Sequence, residues 1–134
     1  MKRNEFIKKS LQVGLASGCI MAAGGANVFS QEDIKLEKCK ITVLKKTFNE
    51  DLVASFAASD VKPCDRFEVG QEFIVEDPFS CPEGFCHWAW ADIRYDIYAS
   101  ALGGKRPWAN PPTVGITCCT DGYRPVFFKI ETLK

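Results

Sequence analysis

The C-terminal part of the chain decides the fold, where residues 114–133 read VGITCCTDGYRPVFFKIETL. Two runs rich in β-branched and aromatic residues flank the dipeptide Asp121-Gly122. This arrangement predicts a hairpin with a two-residue type I′ turn, because that turn needs positive φ at both central residues and Asp-Gly tolerates it. The sequence therefore predicts strands over 114–120 and 123–133.

Two more strands are predicted nearer the N-terminus. Residues 38–43 alternate between polar and apolar and predict a half-buried strand with Cys39, Ile41 and Val43 facing inward. Residues 66–76 predict another strand. Its core candidates are Phe67, Val69, Phe73 and Val75, with Gly70 as a turn or bulge.

Two helices are predicted between the strands. Asn49 is a suitable N-cap for a short helix over residues 49–58, and a second helix over residues 88–102 ends at Gly103-Gly104. The inward residues of the short helix are expected to be Leu52, Val53 and Phe56. The order β-α-β-α-β-β predicts a small single α+β domain with an antiparallel sheet and two helices.

The first thirty residues predict an export signal. A basic stretch precedes an apolar run over 11–29 that is rich in Gly and Ala, as in a signal peptide. This interpretation divides the chain into a signal peptide, 1–30, and a cysteine-rich α+β domain, 31–134. It also predicts an exported protein, located in the periplasm or at the cell surface.

Cys19 offers an alternative reading of the same segment. Residues 15–19 resemble a bacterial lipobox, in which the cysteine is lipidated and becomes the mature N-terminus. The sequence therefore allows membrane contact only through a lipid anchor on Cys19 or through an uncleaved signal.

The charge balance argues against a nucleic-acid partner. The chain has 17 basic and 17 acidic residues, of which four basic and one acidic lie in 1–30. The remaining part carries 13 basic and 16 acidic residues, a net charge of −3. A nucleic-acid surface would need clustered positive charge instead, and no protein partner is indicated.

Cys86 and the only histidine, His87, are predicted to lie at the start of the second helix. Unpaired N–H groups and the positive end of the helix dipole favour a thiolate there. Cys86 is therefore the best candidate for a metal ligand or nucleophile. Trp88 and Trp90 are interpreted as packing residues.

Cys118 and Cys119 are adjacent but should not act as a pair. Successive side chains of a strand point to opposite faces, so one of the two should be core and the other should face a site. Cys118 is assigned to the core and Cys119 to the site. With a two-residue turn, Cys119 would lie roughly opposite Arg124.

Several motif blocks resemble a family of small cysteine-rich prokaryotic proteins of uncharacterised activity. The clearest blocks are PEGFCHWAW at 82–90 and CCTDGYRPV at 118–126, supported by residues 40–48, 63–64 and 67–73. The resemblance implies a compact domain of this size, and it implies no established activity. It places Cys64, Cys86 and Cys119 in shared blocks, which favours metal or thiol chemistry for them because cytosolic relatives cannot rely on stable disulfides.

Three functions from different classes remain open at this point. The first is metal or cofactor binding, with zinc or an iron centre suited to thiolate ligands. Its ligands would be Cys64, Cys86 and Cys119, with His87 or Cys118 as the fourth. The second is a disulfide-stabilised binding module, in which Cys39 and Cys81 are candidates for pairing. The third is a thiol-dependent redox protein with Cys86 as the reactive group.

Overall fold

The computed structural model describes residues 34–133, so the predicted signal peptide and Cys19 lie outside the described residues. Six elements follow one another in the predicted order, which confirms the α+β class. The strands are β1 (Cys39–Lys46), β2 (Glu72–Val75), β3 (Gly115–Cys118) and β4 (Val126–Thr132). The helices are α1 (Glu50–Phe56) and α2 (His87–Ala101).

The four strands form one antiparallel sheet in the order β2-β1-β4-β3. The long strands β1 and β4 pair at its centre, with Ile41 opposite Ile130 and Val43 opposite Phe128. Their side chains alternate as predicted for a sheet with one covered face. We call the face that α2 covers the inner face.

The inner face and α2 enclose the core. Cys39, Ile41 and Val43 are buried there, which confirms the predicted inward side of β1. The helix contributes a stripe of buried residues at helical spacing: Ala89, Ile93, Ile97 and Ala101. Burying each large aliphatic side chain stabilises the fold by about 1.5–3 kcal/mol, so this interface holds α2 against the sheet.

Four phenylalanines form an aromatic cluster at one end of this core: Phe67, Phe73, Phe85 and Phe128. The ring of Phe67 lies 5.0 Å from that of Phe85 and 5.2 Å from that of Phe128. Phe73 meets Phe85 edge-on at 4.9 Å. These separations suit tilted and T-shaped aromatic packing, and the cluster joins the loop before β2 to the start of α2.

The predicted two-residue turn of the C-terminal hairpin is wrong. β3 ends at Cys118 and β4 begins at Val126, so residues 119–125 form a longer connection. No residue other than glycine has positive φ within 34–133, so the type I′ geometry is not adopted. Instead, the Asp121 carboxylate accepts hydrogen bonds from the N–H groups of Tyr123 and Arg124, which closes a local turn.

The inward side predicted for the short helix is also wrong. No residue of α1 is buried, and Leu52 and Phe56 are 38% and 74% exposed. Seven residues form only about two turns, too little to hold an apolar face against the sheet. The segment is held at its N-terminal end by a hydrogen bond from the Asn49 side chain to the carbonyl of Gly122. The Asn49 side chain therefore does not cap α1.

The second predicted strand is shorter than expected. Gly70 adopts a φ of 88° and closes a turn in which the Gln71 N–H donates to the carbonyl of Glu68. The regular strand therefore begins only at Glu72, although the Gly70 N–H and the Gln71 carbonyl already bond to Val43 of β1. Val69, predicted as core, lies within this turn and is 62% exposed, whereas Phe67, Phe73 and Val75 are buried as predicted.

Candidate functional site

Three cysteines from separate parts of the chain line one cleft, which we call the thiol cleft. Cys64 comes from the loop after α1, Cys86 from the start of α2 and Cys119 from the residue after β3. His87 lines the same cleft, whose volume is about 390 Å³. Its floor is the aromatic cluster and the first residue of β4, through Phe67, Phe85 and Val126.

Cys86 occupies the N-cap position of α2. A turn positions it, with Gly84 at a φ of 76° and the Phe85 N–H bonded to the carbonyl of Pro82 at 3.1 Å. The Cys86 carbonyl accepts the N–H of Trp90 at 2.9 Å, which starts the helix. Its side chain makes no capping hydrogen bond, and the first turn contains no acidic residue. The half-buried thiol is therefore free to meet a ligand in the cleft.

Cys119 is held more tightly than Cys86. It is only 8% exposed and belongs to the core cluster while also lining the cleft. Its N–H donates to the Val126 carbonyl at 3.1 Å, and the Val126 N–H donates back to the Cys119 sulfur at 3.3 Å. Cys119 thus lies opposite Val126, and the predicted position opposite Arg124 is wrong because the connection is longer than two residues.

Cys118 does not line the cleft. The predicted alternation of the two cysteines is confirmed, but the assignment of Cys118 to the core is wrong. Cys118 is half-buried and pairs with Phe127 on the outer face, beside Ile116. As placed, it is on the wrong side of the strand to act as a fourth ligand with Cys119.

A hydrogen-bonded chain orders the rim of the cleft near Cys119. Thr120 donates to the Asp92 carboxylate through its N–H at 2.8 Å and its hydroxyl at 3.0 Å. The indole N–H of Trp88 donates to the Thr120 hydroxyl at 3.3 Å. Trp88 is 66% exposed, so its interpretation as a packing residue is wrong; Trp90 does pack against the core.

Two pairs of opposite charges line the thiol cleft. Arg124 and Asp121 bind each other at 3.1 Å, and the Arg124 guanidinium also donates to the carbonyl of Lys62. Arg66 and Asp65 differ, because neither takes part in a hydrogen bond or an ion pair within the part of the chain that the structure describes. Sequence reasoning missed Arg66 and Asp65, whose only signal was their position next to Cys64.

Burial disfavours ionisation of the three cysteines outside the cleft. Burial raises the pKa of Cys39, although the nearby Arg106 opposes it. Burial also raises the pKa of Cys81, helped by its neighbour Cys86. The pKa of Cys118 is raised by burial first and then by Cys119 and Asp92. A raised pKa leaves less thiolate at neutral pH and therefore a weaker nucleophile.

The six cysteines of residues 34–133 are all free thiols, including the candidate disulfide partners Cys39 and Cys81. Cys39 is fully buried in the core. Among the described residues, no three or more Cys, His, Asp or Glu side chains are grouped so that they could hold a metal ion. The convergence of Cys64, Cys86, Cys119 and His87 on one cleft is thus a looser arrangement than a closed metal site.

Within residues 34–133 no helix combines the length and the apolar character needed to cross a membrane. No family model, curated protein or solved structure matches the chain.

Proposed function

We propose that this protein is a thiol-dependent redox protein that binds a small molecule and reacts with it through Cys86. The observation that carries the proposal is the presence of three free thiols, from Cys64, Cys86 and Cys119, in one cleft. The volume of about 390 Å³ falls near the lower end of the roughly 300–1,000 Å³ typical of small-molecule sites.

Cys86 is the thiol best suited to attack. Its thiol is half-buried, and three residues of the first turn of α2 line the same cleft: His87, Trp88 and Ala89. Unpaired N–H groups at a helix start favour negative charge on a neighbouring sulfur. The sulfur of Cys119, by contrast, is nearly buried and already accepts a backbone hydrogen bond.

The proposed reaction is thiol–disulfide exchange with a small organic disulfide. The Cys86 thiolate attacks one sulfur of the ligand, a new S–S bond to Cys86 forms, and the old S–S bond breaks. The other half of the ligand leaves as a thiolate and takes a proton from solvent. A second cleft thiol, as thiolate, can then attack the Cys86 sulfur of this mixed disulfide. An S–S bond between the two protein cysteines forms, and the first half leaves as a thiolate that takes a proton from solvent. The protein thus loses two electrons and the ligand disulfide gains them.

The proposal is tested by exchange between the fully reduced, full-length protein and dithiodipyridine, whose release of thiopyridone is followed by absorbance. We expect a fast phase that releases about one thiopyridone per chain as the mixed disulfide with Cys86 forms, before a second cleft thiol displaces the other half. Cys86→Ser should remove that phase. Peptide mass spectrometry of the quenched fast phase should find the adduct on Cys86.

The matched control is Cys118→Ser, because Cys118 is also half-buried but lies outside the cleft. It should keep the fast phase. Retention of the fast phase in Cys86→Ser, or its loss in Cys118→Ser alone, would contradict the proposed role of Cys86.

Metal binding is the second candidate, since three cysteines and the only histidine line the same cleft. Thiolate and imidazole ligands suit zinc or an iron centre. Binding would require these side chains to move closer together than they lie here. Elemental analysis of protein purified without chelator distinguishes the two functions: a stoichiometric metal that blocks the fast exchange phase until it is removed would favour the metal site.

A further inference from the structure

We propose that the ligand of the thiol cleft is a small disulfide of amino-acid type, which carries both a carboxylate and an ammonium group. This inference rests on the proposed thiol–disulfide exchange at Cys86. The three thiols alone do not indicate a ligand class. The class is inferred from two charged side chains without partners that follow Cys64 in the chain.

Arg66 supplies the positive charge. Of the two arginines in the cleft, Arg124 is already bonded to Asp121 and to the carbonyl of Lys62. Arg66 is exposed and has no partner among residues 34–133. Its planar guanidinium can therefore receive a carboxylate through two parallel hydrogen bonds.

Asp65 supplies the negative charge. It lines the same cleft, is exposed and has no hydrogen-bond or ion-pair partner in the described part of the chain. Asp65 and Arg66 are neighbours in sequence but do not pair with each other, since their charged atoms lie beyond the distance of an ion pair. A ligand with charges of both signs can satisfy both side chains, whereas a purely anionic or cationic ligand meets one attraction and one repulsion.

The remaining walls suit the rest of such a ligand. Trp88 presents a largely exposed ring at the rim, and Phe67 and Phe85 form an apolar floor. Methylene and sulfur atoms can pack there while the charged ends face Asp65 and Arg66. Bound in this way, one sulfur of the disulfide would meet Cys86; one half of the ligand would become attached to it and the other half would leave as the free amino-acid thiol.

The test compares exchange rates of the reduced full-length protein with four small disulfides. Cystine is zwitterionic at each end, dithiodipropionate is anionic, cystamine is cationic and hydroxyethyl disulfide is neutral. Each rate is divided by the rate at which the same disulfide reacts with a short cysteine-containing peptide. This ratio corrects for differences in intrinsic reactivity among the four disulfides. We expect cystine to react about two- to fivefold faster than each of the other three, the range that an exposed charge contact supports.

Two variants assign the selectivity to its residues. Arg66→Gln should remove the preference for cystine over cystamine, because the carboxylate contact is lost. Asp65→Asn should remove the preference for cystine over dithiodipropionate, because the ammonium contact is lost. Arg94→Gln is the matched control, since Arg94 is exposed on α2, stacks on Tyr95 and does not line the cleft; it should leave all four rates unchanged.

The outcomes separate this inference from the proposed function. If Cys86 exchanges rapidly with all four disulfides at equal corrected rates, the ligand class is wrong while the thiol function stands. If selectivity for cystine persists in both Arg66→Gln and Asp65→Asn, these residues do not bind it. If none of the four reacts through Cys86, the thiol function itself fails.

Discussion

Replacing Phe128 with alanine should lower the free energy of unfolding by about 3–5 kcal/mol. Phe128 is completely buried on β4, and its ring packs against those of Phe67 and Phe85 at 5.2 and 5.5 Å. The substitution removes the apolar contacts of a large side chain and leaves a cavity between the sheet and the start of α2. Chemical denaturation followed by tryptophan fluorescence and circular dichroism measures the loss.

Phe127→Ala is the matched control for this prediction. Phe127 is the preceding residue of the same strand, points to the outer face and is only half-buried, with the ammonium of Lys45 5.9 Å from its ring. Phe127→Ala should lower the free energy of unfolding clearly less than Phe128→Ala, because much less apolar surface leaves a packed environment. Equal losses for the two variants would mean that the aromatic cluster does not hold the fold together.

Replacing Arg106 with methionine should cost about 2–3 kcal/mol, the loss expected when charge-assisted hydrogen bonds of a buried group are removed. Arg106 is only 8% exposed. Its guanidinium donates to the carbonyl and the carboxylate of Asp96 at 3.0 and 3.2 Å and to the Ser100 hydroxyl at 3.3 Å. Without it, the fully buried Ser100 hydroxyl and the Asp96 carboxylate lose their partner.

Gly115 explains how the arginine fits beside the sheet. A Cβ atom at position 115 would lie 2.9 Å from the Arg106 Cζ, closer than real Cβ contacts. The control is Lys105→Met, because Lys105 is the exposed neighbour of Arg106. Thermal unfolding should show a large fall in Tm for Arg106→Met and almost none for Lys105→Met. If the two variants have the same Tm, the Arg106 network does not stabilise the protein.

The regular elements could be predicted because their patterns repeat. Period-two alternation identified β1 and its inner residues, and the glycines at 103–104 marked the end of α2. The connection over 119–125 was missed because Asp121 satisfies backbone N–H groups with its side chain. Such a turn competes with the Asp-Gly hairpin turn and has no periodic signature.

The site was predicted only in part, and the reason is again physical. Cys64, Cys86 and Cys119 were singled out from motif blocks and helix-start electrostatics, and they do line one cleft. Arg66 and Asp65 lie in an irregular loop, where no spacing rule says which side chains turn toward a site. Outside the cleft, the ion pair between Asp96 and Arg106 was also missed, because it depends on a contact between α2 and the loop after it that periodicity cannot reveal.

The role of Cys86 is tested most directly by site-resolved alkylation of the native, reduced protein with iodoacetamide. Mass spectrometry of timed samples at neutral pH gives a separate rate for each cysteine. We predict that Cys86 is modified first, that Cys81 and Cys118 follow more slowly because burial raises their pKa, and that Cys39 reacts only on unfolding. Because thiolates are the reactive form, raising the pH should increase the alkylation rates of Cys81 and Cys118. Modification of Cys64, Cys81 or Cys118 before Cys86 at neutral pH would contradict the assignment of Cys86 as the reactive thiol.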